Sequence, residues 1–303
     1  MSRPPTFETP GCARSRTLTT DRGGFAVLDA RPGASAGAPK GTAVLVPGFT
    51  GSKEDFIALL KPLTDAGYRA VAIDGRGQYE SPGTEDPAAY TLDELGRDLL
   101  AQTAAIAAED GGGPGPVHLL GHSLGGLISR AAVLADASPF RTLTLMASGP
   151  ARVGPAQRER VRLLGDALAT LSMAEVWEAM QALEPPADTE LGSADTEPGG
   201  AGHDAHEELL RERWLRTHPR QLIATGHILT SEPDRVDELA AVRPLPKHVL
   251  SGERDETWPV PLMDEMAVRL GALRTIIAGA EHSPNTDRPA ETAAALTAFW
   301  DPH

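Results

Sequence analysis

Ser123 stands in Gly121-His122-Ser123-Leu124-Gly125, a G-x-S-x-G sequence. The apolar run 117–120 leads into it, and the helix-compatible stretch 124–136 follows at once. Strand, tight turn and helix in that order is the setting of a nucleophile elbow. A bare G-x-S-x-G also occurs in loops that merely end a strand, and the flanks give this one its chemical reading. A strand that reverses into a helix crowds its own backbone, and Gly121 and Gly125 carry no Cβ to clash there. The hydroxyl is then held clear of the sheet. The N–H of Leu124, at the helix start, is placed to donate to a developing oxyanion. Serine is a poor nucleophile at neutral pH unless a base takes its proton. A histidine base in turn needs a carboxylate to hold its tautomer and stabilise the imidazolium. The chain has nine histidines and 42 acidic residues, so position in the fold must choose among them.

The positioning elements follow from the hydrophobic pattern. Residues 16–20 and 24–30 read as a hairpin, and 42–46, 69–73, 117–120, 141–146, 248–250 and 274–277 as further strands. Helical patterns cover 53–66, 91–108 with a Thr-x-x-Glu cap at Thr91, 124–136, 261–270 and 289–300. A glycine-rich stretch at 111–115 stops the second of these. Between 151 and 243 the alternation breaks, and 155–169, 172–182, 205–215 and 219–229 all read as helices. The stretch 184–202, rich in Pro, Gly, Asp and Glu, reads as a mobile loop. The expected fold class is therefore α/β, a mostly parallel central sheet with helices on both faces and an inserted helical cap. Its parts are a flexible tail at 1–16, a core from 17–150 and 244–303, and a cap over 151–243. In open sheets of this kind, sites form at the carboxyl ends of the strands.

Composition narrows the partners. The 303 residues are 41% hydrophobic and 4% aromatic, so aliphatic and alanine packing must fill the core. A formal charge of −14 argues against nucleic acid and anionic membranes. The single cysteine, Cys12, permits no intrachain disulfide and fits a reducing cytoplasm. The first 20 residues lack the apolar segment of a secretory signal, and no apolar run is long enough to span a membrane. The expected location is cytoplasmic.

Four motifs give the chain its resemblance to the α/β hydrolases with a serine nucleophile, over about 16–300. They are Gly121-His122-Ser123-Leu124-Gly125, the loop Val46-Pro47-Gly48-Phe49-Thr50-Gly51-Ser52, the D-x-R-G loop Asp74-Gly75-Arg76-Gly77, and the pair Ser251-Gly252-Glu253-Arg254-Asp255 and Gly279-Ala280-Glu281-His282-Ser283-Pro284. Pro47 stands where many members have His. The resemblance implies an order of Ser, then Asp, then His. Each motif alone is weak, and their joint order after successive strands carries the likeness.

Within that frame His282 is the expected base, because it directly follows the last strand. His118 and His122 sit too close to the elbow, His248 lies at the wrong strand end, His218 precedes a proline, and His303 is terminal. His203 and His206 have no third ligand at metal-site spacing, so no metal is expected. Asp255 is the expected carboxylate, favoured by its G-x-x-D spacing from Gly252 and by Pro259 after it, with Glu253 and Asp264 as rivals. The loop resemblance makes the N–H of Phe49 the second oxyanion donor beside Leu124. Asp74 and Arg76 read as a structural pair. Phe49, His122, Trp177, Met180, Trp214 and His227 are candidates to line the pocket, Met and Trp making an adaptable apolar wall. The expected activity is hydrolysis of a small to medium hydrophobic carboxylic ester through an acyl-enzyme, with no cofactor. Thioesters, lactones, C–C bonds and perhydrolysis are open to the same triad, and a binding protein lacking activity is the remaining class.

Overall fold

The computed structural model describes residues 2–33, 37–109, 117–183 and 201–303, with side chains of the last segment from 205 onward. The expected helix stop at 111–115 lies outside the described residues, as does 184–200 of the expected loop. Eight strands form one sheet: β1 (Ala13–Thr20), β2 (Gly23–Ala30), β3 (Thr42–Val46), β4 (Arg69–Ile73), β5 (Val117–His122), β6 (Thr142–Met146), β7 (Lys247–Gly252) and β8 (Leu273–Ile277). Their order is β1-β2-β4-β3-β5-β6-β7-β8. The pairings β1–β2 and β2–β4 are antiparallel and the rest are parallel. β1 begins inside the stretch 1–16 expected as tail, because Ala13 pairs with Ala30 and so gives β2 a partner along its whole length.

The central strands are covered on both faces, which is why they read as continuous apolar runs. Alternate residues part to opposite sides, as a pleated strand requires. Val44, Leu119, Leu143 and Val249 join one cluster; Leu45, Leu120, Met146 and Leu250 join the other. The first cluster is completed by α2 (Leu92–Glu109), α3 (Leu124–Ala135) and α9 (Val260–Leu270), and the second by α1 (Ile57–Asp65) and α11 (Pro289–Trp300). A short α10 (Pro284–Asp287) precedes α11. The expected helix 53–66 begins as a 3₁₀ turn at Lys53–Phe56 before α1 takes over.

Between β6 and β7 the chain forms α4 (Pro155–Leu168), α5 (Met173–Leu183), α6 (Ala201–Arg216), α7 (Pro219–Ser231) and α8 (Val236–Ala241). The six-residue α8 is too short for its periodicity to be read from sequence. Leu168, Val176, Trp177, Leu210, Trp214 and Leu222 bury one another in a cluster of their own. Phe7 packs against it, and the Ser2 carbonyl accepts from Arg213, so the N-terminal residues lie along the helical insertion. Two buried ion pairs fasten the insertion to the core: Arg213 to Asp55 of the 3₁₀ turn at 3.0 Å, and Glu232 to Arg130 of α3 at 2.7 Å.

Asp55 follows the loop after β3 and is wholly buried. Burial pushes its carboxyl up, and Arg213 opposes that shift. Arg213→Met should cost about 3–5 kcal/mol of stability, since it strands a buried charge. The loss should be greater near pH 8 than near pH 5.5. Burial already holds the folded-state carboxyl above its unfolded value, and losing Arg213 raises it further, so the folded form keeps more protons and the loss grows as pH rises. Urea denaturation at the two pH values measures this; a loss below about 1 kcal/mol at both, typical of exposed pairs, would show that the pairing does not hold the insertion down.

Candidate active site

The elbow is built by backbone contact. Ser123 has φ 55° and ψ −121°, a region that a residue with a Cβ occupies at a cost of about 1–3 kcal/mol unless its surroundings enforce it. Two hydrogen bonds enforce it here: the Ser123 N–H donates to Met146 O at 2.9 Å, and the Gly126 N–H donates to Ser123 O at 2.9 Å. A Cβ on Gly121 would lie 2.3 Å from Gly125 O, and one on Gly125 would lie 2.3 Å from Val46 O. Neither position tolerates a side chain. The turn can form only because these two are glycine.

His282 and Asp255 meet Ser123 from the two loops that follow β8 and β7. His282 Nε2 is 3.1 Å from Ser123 Oγ, and His282 Nδ1 is 2.9 Å from Asp255 Oδ2. The Asp255 carboxylate is buried, and its Oδ1 accepts from the N–H groups of Thr257 at 2.8 Å and Trp258 at 3.1 Å. With the carboxylate accepting from Nδ1–H, the lone pair of Nε2 faces the serine hydroxyl. The rival acids lie elsewhere. Glu253 accepts from the Gly279 N–H at 3.0 Å, and Asp264 pairs with Arg274 at 2.7 Å.

The other histidines have separate partners. His122 is buried beside the site with Nε2 2.9 Å from the His282 carbonyl oxygen. Burial and the neighbouring His282 lower its pKa to about 4, so it is neutral at physiological pH and donates from Nε2 to that carbonyl. His118 bonds Thr142 at 2.9 Å, His248 bonds Thr275 at 2.9 Å, and His218 caps α7. His206 rests against Phe7, while the His203 side chain is outside the description.

The loop after β3 lies directly over the elbow: a Cβ on Gly48 would come 3.0 Å from Ser123 Cβ. Leu124 opens α3, where a helix leaves its first N–H groups without intrahelical acceptors. Asp74 anchors the same loop by accepting from the Lys53 N–H at 2.7 Å and from its ammonium at 3.0 Å. Burial alone would lower the Lys53 ammonium, but Asp74, Glu54 and Glu80 outweigh it and hold it above its ordinary value. Arg76 pairs with Asp98 at 2.7 Å, not with Asp74 as the sequence suggested. Lys53 occupies that carboxylate first.

A cavity of about 450 Å³ reaches Ser123 and His282. Phe49 and His122 line it as expected residues of the wall. Trp177, Met180, Trp214 and His227 do not. Trp177 and Trp214 are buried in the insertion's own cluster, and Met180 packs against it. His227 faces a separate groove between α4 and α7. The wall facing the serine comes instead from Val153, Leu229 and one face of α4, at Gln157, Arg160, Val161 and Leu164. Their i, i+3, i+4, i+7 spacing is a single helical face. Its polar and apolar residues are mixed, so it forms no hydrophobic stripe that a sequence would display.

A mostly parallel sheet with helices on both faces, an elbow serine after the fifth strand and a helical insertion after the sixth define an α/β hydrolase. The chain belongs to the alpha/beta hydrolase family, which it matches over residues 43–295. It is similar to the provisionally named carbamate hydrolase RutD of Variovorax paradoxus (strain S110), 33% identical over 111 residues. That match covers 36% of this chain and 39% of the relative's length. A thermophilic esterase from Thermogutta terrifontis superposes with a TM-score of 0.68 at 21% identity, over 95% of this chain and 98% of that one. The enol-lactonase from Burkholderia xenovorans LB400 does so with a TM-score of 0.70 at 18% identity, over 94% and 100%. At such identities the two structures speak for the fold alone.

The carboxylate assignment is open to a direct comparison. Asp255→Asn should reduce hydrolytic turnover by about 10⁴, as loss of the orienting acid does in serine triads. Glu253→Gln should leave it within a few-fold. The reverse ranking, measured as kcat on any ester the parent protein cleaves, would move the acid to Glu253.

Proposed function

We propose that this hydrolase cleaves a carboxylic ester through an acyl-enzyme formed on Ser123. The observation that carries the reading is the continuous hydrogen-bonded line from Asp255 through His282 to Ser123 Oγ, at 2.9 and 3.1 Å, on the wall of a cavity. Ser123 Oγ attacks the ester carbonyl carbon while His282 Nε2 takes its proton. The carbonyl electron pair moves onto oxygen, where the N–H groups of Phe49 and Leu124 receive it. The intermediate collapses as His282 returns the proton to the departing alcohol. Water then repeats the sequence on the acyl-enzyme and releases the acid.

Phe49, Val153, Val161, Leu164 and Leu229 supply an apolar wall, and the cavity falls in the range of about 300–1,000 Å³ common for small-ligand sites. This suits an acyl group of small to medium length. Arg160 adds an exposed cation to the same lining and has no ion-pair partner among the described residues. An acidic group at the far end of the acyl chain would find its counter-ion there.

A fluorophosphonate should label the protein once, on the peptide carrying Ser123, and Ser123→Ala should abolish labelling. A folded sample that does not label would overturn the serine-hydrolase reading. Steady-state kinetics on p-nitrophenyl esters of increasing chain length, with matched thioesters and carbamates, identifies the bond preferred. On that panel Arg160→Ala should lower kcat/KM for a succinate monoester relative to the butyrate ester by about tenfold, the worth of one charged hydrogen bond. Equal losses on both esters would remove Arg160 from recognition.

A further inference from the structure

We infer that Gln78 positions an oxyanion donor, through the peptide group that joins Gly48 to Phe49. The inference rests on the acyl-enzyme reading above and concerns a residue that touches neither substrate nor triad. Gln78 is buried in the loop after β4, in a turn where its N–H donates to Gly75 O at 3.0 Å. Its side chain has two partners. Oε1 accepts from the Gly75 N–H at 2.8 Å, and Nε2 donates to Gly48 O at 3.0 Å. The first contact fixes which end of the carboxamide is which, so the donor end faces Gly48.

Gly48 O belongs to the same planar unit as the N–H of Phe49. In a trans peptide the two point in opposite directions, and the only cis bond among the described residues is Arg243–Pro244. Pinning the carbonyl therefore aims the N–H. Gly48 O also accepts from the Gly51 N–H at 3.2 Å, so two donors hold the carbonyl. Gly48 and Phe49 line the same cavity as Ser123. Pro47 before it and the positive φ of Thr50, 59°, show how far this loop departs from a relaxed extended strand. Without an anchor, the peptide plane is free to rotate and carry the Phe49 N–H off its target. Donation into Gly48 O also polarises the amide and strengthens its N–H as a donor.

Because the oxyanion exists only in the tetrahedral state, the contribution of Gln78 belongs to kcat and not to substrate binding. Gln78→Met keeps the length and removes the donor. It should lower kcat by about tenfold to a hundredfold, less than outright loss of an oxyanion donor, with KM within about twofold. A trifluoromethyl ketone provides the second readout. Ser123 Oγ adds to its carbonyl carbon, the proton passes to His282 Nε2, and the carbonyl pair becomes the oxyanion of a hemiketal. Its Ki should rise by the factor by which kcat/KM falls. Gln78→Glu is nearly isosteric and donates to Gly48 O only as the carboxylic acid, so its rate relative to the parent should fall as pH rises.

Gln78→Met with unchanged kcat and Ki, or with only KM raised, would overturn the role of Gln78 while leaving the serine mechanism standing. If Gln78→Met does not fold, Gln78→Glu decides, and a pH-independent rate ratio equal to one overturns the role. A parent protein that forms no adduct with the ketone would bring down the acyl-enzyme reading, and this inference with it.

Discussion

The contact on which the site depends is backbone against backbone. At the elbow the main chain of Gly125 approaches Val46 O so closely that a Cβ would lie 2.3 Å from it. That approach seats α3 at the end of β5 and leaves Ser123 at φ 55°. The strain in one residue is borne by a sheet whose neighbouring strands hold the turn from both sides. β6 supplies Met146 O to the Ser123 N–H, and β3 supplies the loop that covers it. The cost of order 1–3 kcal/mol is small against a core of this size, and it brings the Ser123 hydroxyl within 3.1 Å of His282 Nε2.

Around that contact the polar groups form a second frame. Asp74 holds the start of the 3₁₀ turn through the Lys53 N–H, Gln78 holds Gly48 O, and Asp55 receives Arg213 from the insertion. All three act on the ten residues after β3. The loop that covers Ser123 is thereby tied to the β4 loop on one side and to α6 on the other. Buried charges are expensive to desolvate and expensive to leave unpaired. Their concentration here makes the loop's position insensitive to small repacking elsewhere. The insertion also carries its own apolar cluster, so its large aromatics stabilise it internally and the cavity wall is left to smaller and more polar side chains.

How much of this a sequence displays depends on the range of the interaction. The strands, the elbow glycines and the loops bearing Asp255 and His282 follow from short-range patterning, because each lies directly after an apolar run. The family and fold were legible for that reason. The pocket wall was not. Trp177 and Trp214 look like lining because large apolar residues in an insertion can face either way, and only packing shows that they face each other. The α4 face has the right spacing but mixes Gln157 and Arg160 with Val161 and Leu164, so no stripe marks it. Arg76 was matched to Asp74 by proximity in sequence, whereas its partner Asp98 lies a full element away on α2. Gln78 was invisible for a similar reason: its acceptor is a main-chain carbonyl thirty residues upstream, and a backbone partner leaves no trace in residue types.

The acyl-enzyme is the intermediate that every proposed role serves, and it has a mass. Acid quench of the protein during turnover of a p-nitrophenyl ester, followed by intact-mass and peptide-level mass spectrometry, reads it directly. The predicted result is one acyl group per chain, on the peptide containing Ser123, accumulating with a burst of p-nitrophenolate and disappearing as substrate is exhausted. Turnover with no burst and no adduct on that peptide, or an adduct on a carboxylate instead, would contradict it.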